Sequence, residues 1–190
     1  MKKHLLSAVF AGLLLVGCNA SKTGGEKSTN DLATLNPIET TLDLTKVIDD
    51  KAPVTINPGR FTAETVTYRL PRVVQGTYSV SDFEKYIDDF KALDYQGNEL
   101  AVEKTDTNTW TLSNATNLDV ITYNVNDTFD MEVQGGIGGD VPFSPAGTNI
   151  ESTNFVLNLH GFIGYFDALK NAQYTLDVVS PKSMVKTSAL

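Results

Sequence analysis

Short runs in which apolar and polar side chains alternate recur along this chain, separated by polar turns. That period of two is the repeat of a half-buried strand. Leu42 and Leu44 alternate with Thr41, Asp43 and Thr45, and Val54-Thr55-Ile56 continues the pattern to a turn at Asn57-Pro58-Gly59. From Thr62 to Leu70, Val66, Tyr68 and Leu70 share one face and Thr65, Thr67 and Arg69 the other. Pro71 has no N–H for a ladder, so that strand stops there or lies at an edge. Phe83, Tyr86, Ile87 and Phe90 would suit a helix with Asp82 as its N-cap, but Phe90, Ala92 and Asp94 equally suit a strand. The reading taken is a short irregular turn from Asp82 to Tyr86, then a strand from Ile87 to Leu93. Asp94-Tyr95-Gln96-Gly97-Asn98 and Asp106-Thr107-Asn108 are hairpin turns, the second flanked by Leu100 to Lys104 and Thr109 to Leu112. Val120, Thr122 and Asn124 alternate with Ile121, Tyr123 and Val125, and patterning returns from Asn154 to His160 and from Tyr174 to Val179. Between Thr128 and Ile150 there is little periodicity, and a stretch of that length without structure is functional or mobile. The expectation is an all-β fold, an antiparallel β-sandwich of about nine or ten short strands with one long irregular loop.

The first residues carry a different message. Lys2 and Lys3 precede an apolar run from Leu5 to Val16, which ends in Leu15-Val16-Gly17-Cys18. The run is shorter than the roughly 20 residues of a membrane-crossing helix and matches a secretory leader. Leu15 to Cys18 resembles the lipobox of bacterial lipoproteins. That resemblance implies cleavage after residue 17 and a diacylglyceryl group on the Cys18 sulfur. Residues 1–17 are then a signal peptide, 18–30 a polar tether too poor in apolar surface to order itself, and 31–190 the β-sandwich. Asn19 rather than Asp follows the cysteine, so the expected address is the cell envelope, lipid-anchored at the outer membrane. About 150 residues make one domain, large enough to need no staple. Cys18 is the only cysteine, so no internal disulfide can form.

The formal net charge is −8, and loss of Lys2 and Lys3 makes the exported chain more acidic still. Nucleic acid is therefore not an expected partner. Gly135-Gly136-Ile137-Gly138-Gly139 lacks the Lys-Ser or Lys-Thr of a phosphate loop and reads as a flexible surface loop. Asp127, Asp130 and Asp140 lack the spacing of a calcium loop. His160 is the sole histidine after processing, and it is expected to be packed or hydrogen-bonded rather than a ligand. A zinc-binding helix needs two histidines one turn apart, and no such pair exists here. No catalytic residue and no metal ligand is assigned.

Several stretches together resemble one family. They are Tyr68-Arg69-Leu70-Pro71-Arg72 leading to Gly76-Thr77-Tyr78-Ser79-Val80-Ser81-Asp82-Phe83; Ile87-Asp88-Asp89-Phe90-Lys91-Ala92; Ile121-Thr122-Tyr123 with Asn126-Asp127-Thr128; Ser144-Pro145-Ala146-Gly147-Thr148-Asn149-Ile150; and Asn158 to Phe166. In this order they resemble the N-terminal domain of the glycyl aminopeptidase family of zinc metallopeptidases, in its lipoprotein form. The likeness runs from about Glu39 to the C-terminus, with Gln75 where the family usually has Pro. It implies a non-catalytic β domain that flanks and shapes the substrate cleft of a catalytic domain absent from this chain. That catalytic domain would carry H-E-x-x-H and the zinc; this chain has no cofactor of its own. The implied partners are the membrane, through the lipid on Cys18, the peptidase domain, and a peptide substrate bound through that domain. Asn149 and Glu151, at the end of the long loop, are the candidate cleft-facing residues for a substrate ammonium group.

Two other readings stand beside this one. The supply of Trp110, Tyr78, Tyr86, Tyr95, Tyr123, Tyr165 and Phe166 would suit a stand-alone envelope module binding glycan or protein, provided these rings form an exposed coplanar row. An acid-pair hydrolase would need Asp49-Asp50 or Asp88-Asp89 to act together, but strand alternation should point the members of each pair to opposite faces.

Overall fold

A computed structural model describes residues 37–129 and 146–188 of the 190-residue chain. Two sheets face one another. The first has the order β11-β1-β2-β7-β4, built from β1 (Ile38–Asp43), β2 (Lys51–Asn57), β4 (Ile87–Asp94), β7 (Leu118–Asn126) and β11 (Tyr174–Val179). The second has the order β10-β3-β6-β5, from β3 (Thr65–Arg69), β5 (Val102–Asp106), β6 (Thr109–Ser113) and β10 (Tyr165–Phe166). β8 (Asn149–Ile150) and β9 (Phe155–Val156) form a separate small hairpin. The fold is all-β, as the alternation predicts.

The alternating residues sort as read. β2 and β7 send Ala52, Val54, Ile56, Ile121, Tyr123 and Val125 inward, and β3 and β6 meet them with Val66, Tyr68, Trp110 and Leu112. Each large aliphatic side chain so buried stabilises the fold by about 1.5–3 kcal/mol. Tyr123, Phe90 and Trp110 form a stack across the gap, with ring centroids 5.7 Å and 4.6 Å apart and planes 6° and 5° from parallel.

One pairing departs from the expected antiparallel pattern, and two strand readings are corrected. Pairing is not wholly antiparallel, because β11 lies parallel to β1 in the register Ile38↔Tyr174 to Asp43↔Val179. A parallel neighbour needs a long connection, and the whole domain between β1 and β11 provides it. β1 ends at Asp43, whose carboxylate accepts the Thr45 N–H at 3.1 Å and turns the chain into a 3₁₀ turn over Leu44–Lys46. Between Asn154 and His160 only Phe155–Val156 is strand, and Leu159–Gly161 is another 3₁₀ turn. Asp82 caps nothing with its side chain. It sits at φ 46° before the turn Phe83–Tyr86, and its carboxylate is used elsewhere.

A chain of hydrogen bonds ties the sheets together. Gly164 N donates to the Tyr68 hydroxyl at 2.8 Å, and the Tyr123 hydroxyl donates to the Phe162 carbonyl at 2.5 Å. The Tyr68 and Tyr123 oxygens are 2.9 Å apart. Because Tyr123 has spent its only proton on the carbonyl, Tyr68 must donate to Tyr123. Every polar group of this buried relay is then used. The approach is close: a Cβ on Gly164 would lie 2.0 Å from the Arg69 carbonyl oxygen, which requires glycine there.

Candidate functional site

The two described ends of the long loop are stitched to each other. Asp127 is buried at the end of β7. One carboxylate oxygen accepts the Phe129 N–H at 2.5 Å and the other accepts the N–H of Ile150. Thr128 N donates to the Thr148 carbonyl at 3.0 Å, and Thr148 N donates to the Thr128 hydroxyl at 2.8 Å. The Asn158 side-chain amide donates to the Gly147 carbonyl. Asp127 therefore holds backbone amides together, which its sequence neighbours gave no sign of. Asp130, Asp140 and the glycine run 135–139 lie outside the described residues, as does Cys18 with the leader and tether.

Asn149 and Glu151 are separated by this arrangement. Asn149 is buried in β8, opposite Val156. Glu151 is exposed, and its N–H donates to the Asn154 carbonyl at 3.0 Å in the turn between β8 and β9. Of the two, Glu151 alone presents its side chain to solvent. His160 is exposed on the turn Leu159–Gly161, not packed as expected. Its neighbour Gly161 takes the buried position, where an added Cβ would meet the Phe83 ring at 3.1 Å.

Beside this stalk runs the segment 71–82. Val74 O accepts the Thr77 N–H at 3.2 Å, with Gly76 at φ 92°. This is a type II turn whose second position is Gln75. Ser81 N and Asp82 N both donate to the Arg72 carbonyl at 3.0 Å. The Asp82 carboxylate takes Arg72 Nε at 2.8 Å and the Asn108 amide at 2.9 Å, while Asn108 accepts the Glu84 N–H at 3.0 Å. Burial opposes the Asp82 charge, but the hydrogen bonds from Arg72 and Asn108 hold its carboxyl below the ordinary carboxylate value. Glu84 in turn pairs with Lys104. Between the pinned ends the chain is inside out. Thr77, Ser79 and Ser81 are 5%, 8% and 2% exposed, whereas Tyr78 and Val80 are 86% and 52% exposed. Tyr78 also holds a left-handed backbone, φ 54°. Alternation alone would have put Tyr78 and Val80 inside.

The acid pairs differ from expectation too. Asp49 and Asp50, at φ 50° and 56°, are the central residues of the turn joining Ile48 to Lys51. Asp88 and Asp89 do not point to opposite faces. The register shifts by one residue between Asp88 and Lys91, with Asp89 at φ 54°. This β-bulge brings both carboxylates onto one surface. There Asp88 takes Lys51 Nζ at 2.6 Å and the Asn126 amide at 2.9 Å, and Asp89 takes the Asn124 amide at 3.1 Å. Lys51 first, and then Asn126, holds the Asp88 carboxyl below its ordinary value. A glycosidase acid needs the reverse shift. The aromatic supply is spent mostly inside, because Trp110, Tyr86, Tyr123 and Phe166 are buried. The coplanar rings form the core stack and not a glycan platform. Among the described residues no group of three or more His, Cys, Asp or Glu is placed to hold a metal.

A two-sheet β module whose described polar residues staple loops is the class these features define. The chain belongs to the family of the Peptidase M61 N-terminal domain, whose model matches residues 39–190. The family is one of metallopeptidases, and this domain by itself is non-catalytic. Among solved structures the chain is similar to an aminopeptidase N family protein from Idiomarina loihiensis, with 17% identity and a TM-score of 0.57. The likeness covers 76% of this chain but only 22% of that one. No curated protein sequence matches.

Proposed function

We propose that this chain is a lipid-anchored accessory domain that sits beside a zinc metallopeptidase domain and shapes its substrate cleft. The observation that carries this reading is the family match over residues 39–190. The stapled stalk supports it: Asp127, Thr128 and Asn158 fix the ends of the long loop, and a rigid platform beside a cleft can present such a loop to substrate. Zinc belongs to the peptidase domain, where it would polarise the peptide carbonyl and activate water. This chain contributes position. Glu151, exposed in the turn of the β8–β9 hairpin, is the residue assigned in this reading to pair with the ammonium group of an unblocked peptide. Cys18 supplies the tether through its lipid, at the outer membrane.

The test is an aminopeptidase assay with a peptidase domain of this family, with and without this chain. The chain alone leaves peptides intact. In the assembly Glu151→Ala raises KM for peptides with a free N-terminus and leaves blocked peptides unchanged. Hydrolysis by the chain alone refutes the reading, and an unchanged KM removes Glu151 from it. Mass spectrometry of the chain expressed in a bacterium reports the anchor: a diacylglyceryl group on Cys18 supports it, and an unprocessed N-terminus refutes it.

A further inference from the structure

We infer that the inside-out segment 77–81 is the surface on which the metallopeptidase domain docks, with Tyr78 as its anchor; this rests on the proposed function. The pattern is the first ground. In a half-buried extended segment a one-residue slip of register exchanges inner and outer side chains. Here such a slip would have buried Tyr78 and Val80 and exposed three hydroxyl groups. The fold takes the opposite register, and Val73, just before the Val74–Thr77 turn, is also exposed. Apolar groups kept outside at the expense of hydroxyl groups inside are arranged to meet an apolar surface.

The second ground is the backbone. Tyr78 is a bulky residue at φ 54° with its ring in solvent. Neither the backbone angle nor the exposure is favourable for an isolated module, and strain of this kind persists only where surrounding structure enforces it. The enforcement is visible: Arg72 and Asp82 close the segment, Asn108 holds Asp82, and the Val74–Thr77 turn fixes the approach to Tyr78. The ring is therefore presented in a fixed position before any partner arrives, which lowers the ordering cost of binding.

The third ground selects the occupant. Four of the charges flanking the segment are paired within the domain, Arg72 with Asp82 and Lys104 with Glu84, and Lys85 stands exposed beyond them. The paired four are not offered to an ionic partner or a charged membrane surface. What remains outward is one aromatic ring with a hydroxyl and two branched aliphatic side chains. That set fits an apolar protein pocket with a hydrogen-bond acceptor at its floor. The family assignment makes a peptidase domain the folded surface that accompanies this one.

The experiment mixes the full chain with a separately produced metallopeptidase domain of an M61 aminopeptidase and measures affinity by calorimetry at low and high salt. The expected result is binding that salt leaves nearly unchanged. Tyr78→Ser with Val80→Ser weakens it about tenfold or more, with the melting temperature unaltered because both side chains are exposed. Tyr95→Ser, in the turn that follows the far end of β4, binds as the parent does. If the parent chain binds and the double variant binds equally well, docking uses another face: the inference fails and the proposed function stands. If the parent chain does not bind at all, both fail. Self-association of the chain in sedimentation, abolished by Tyr78→Ser, makes the occupant a second copy and overturns the inference.

Discussion

The relay through Tyr68 and Tyr123 makes a prediction about additivity. Removing the Tyr123 hydroxyl (Tyr123→Phe) orphans two buried groups, the Phe162 carbonyl and the Tyr68 proton. Removing the Tyr68 hydroxyl (Tyr68→Phe) orphans one, the Gly164 N–H, because Tyr123 still donates to Phe162. The double variant orphans two, the carbonyl and the N–H, because no hydroxyl remains to be stranded. A buried polar group left without its partner costs about 1–3 kcal/mol. At about 2 kcal/mol per group, the expected losses are about 2 for Tyr68→Phe, about 4 for Tyr123→Phe and about 4 for the pair. The double variant thus falls short of the sum by about 2 kcal/mol, the coupling of neighbours in one network. Urea unfolding followed by the fluorescence of Trp110, the chain's only tryptophan and part of the core stack, measures all four proteins. Losses that simply add, or a Tyr68→Phe variant weaker than Tyr123→Phe, would refute the donor order. Alkali provides a second reading. Burial raises the pKa of both tyrosines above the ordinary value of 10.0. The folded chain therefore holds protons that the unfolded chain releases. Their contribution is intact below pH 10 and is lost as pH rises towards the folded values. The loss is about 1.4 kcal/mol per pH unit for each ring, and the double variant shows correspondingly less of it.

Three further outcomes are expected. Gly164→Ala places a carbon against the Arg69 carbonyl and the Tyr68 ring; it should destabilise by about 3 kcal/mol or more, and a melting temperature near the parent's would show the turn to be soft. Gln75→Pro should stabilise by about 0.4–1 kcal/mol, since proline favours the second position of a type II turn and restricts the unfolded chain; a loss in thermal unfolding would refute the turn assignment. Asp88 is held below its ordinary value of 3.8, first by Lys51 and then by Asn126, so its contribution is present above that value and lost as pH falls through the folded one. Lys51→Met should therefore flatten the acid limb of the stability profile, and an unchanged acid limb would refute the pairing.

The strands were legible because alternation is enforced by burial on one face. Val66 and Tyr68, or Ile121, Tyr123 and Val125, can take only one side of their sheet without exposing a large apolar area. The Asp82 to Tyr86 turn followed by a strand was legible for the same reason. What the pattern could not show was any place where one residue is inserted or the register is reversed. The bulge at Asp89 adds a residue that no periodicity announces, and it moves two carboxylates onto one surface. The parallel pairing of β11 depends on where the rest of the chain goes, which local patterning does not encode. Of the candidate site, Asn149 and Glu151 were legible as neighbours in sequence, but the boundary between strand and turn falls between them and sends one inward. The role of Asp127 depends on amides 2 and 23 residues away. His160 was expected to be packed or hydrogen-bonded, yet it is its neighbour Gly161 that faces the core.

The core clamp and the outward-facing segment are parts of one mechanical path. Tyr123 holds the Phe162 carbonyl. Phe162 follows Gly161, which lies against the Phe83 ring, and Phe83 follows Asp82, the residue that closes the segment bearing Tyr78. Each step is a short covalent or packed connection to buried atoms, so the position of the Tyr78 loop is referred to the interface between the two sheets. A surface ring can serve as an anchor only if its backbone does not yield when a partner approaches. The buried tyrosines, Tyr68 and Tyr123, supply that stiffness.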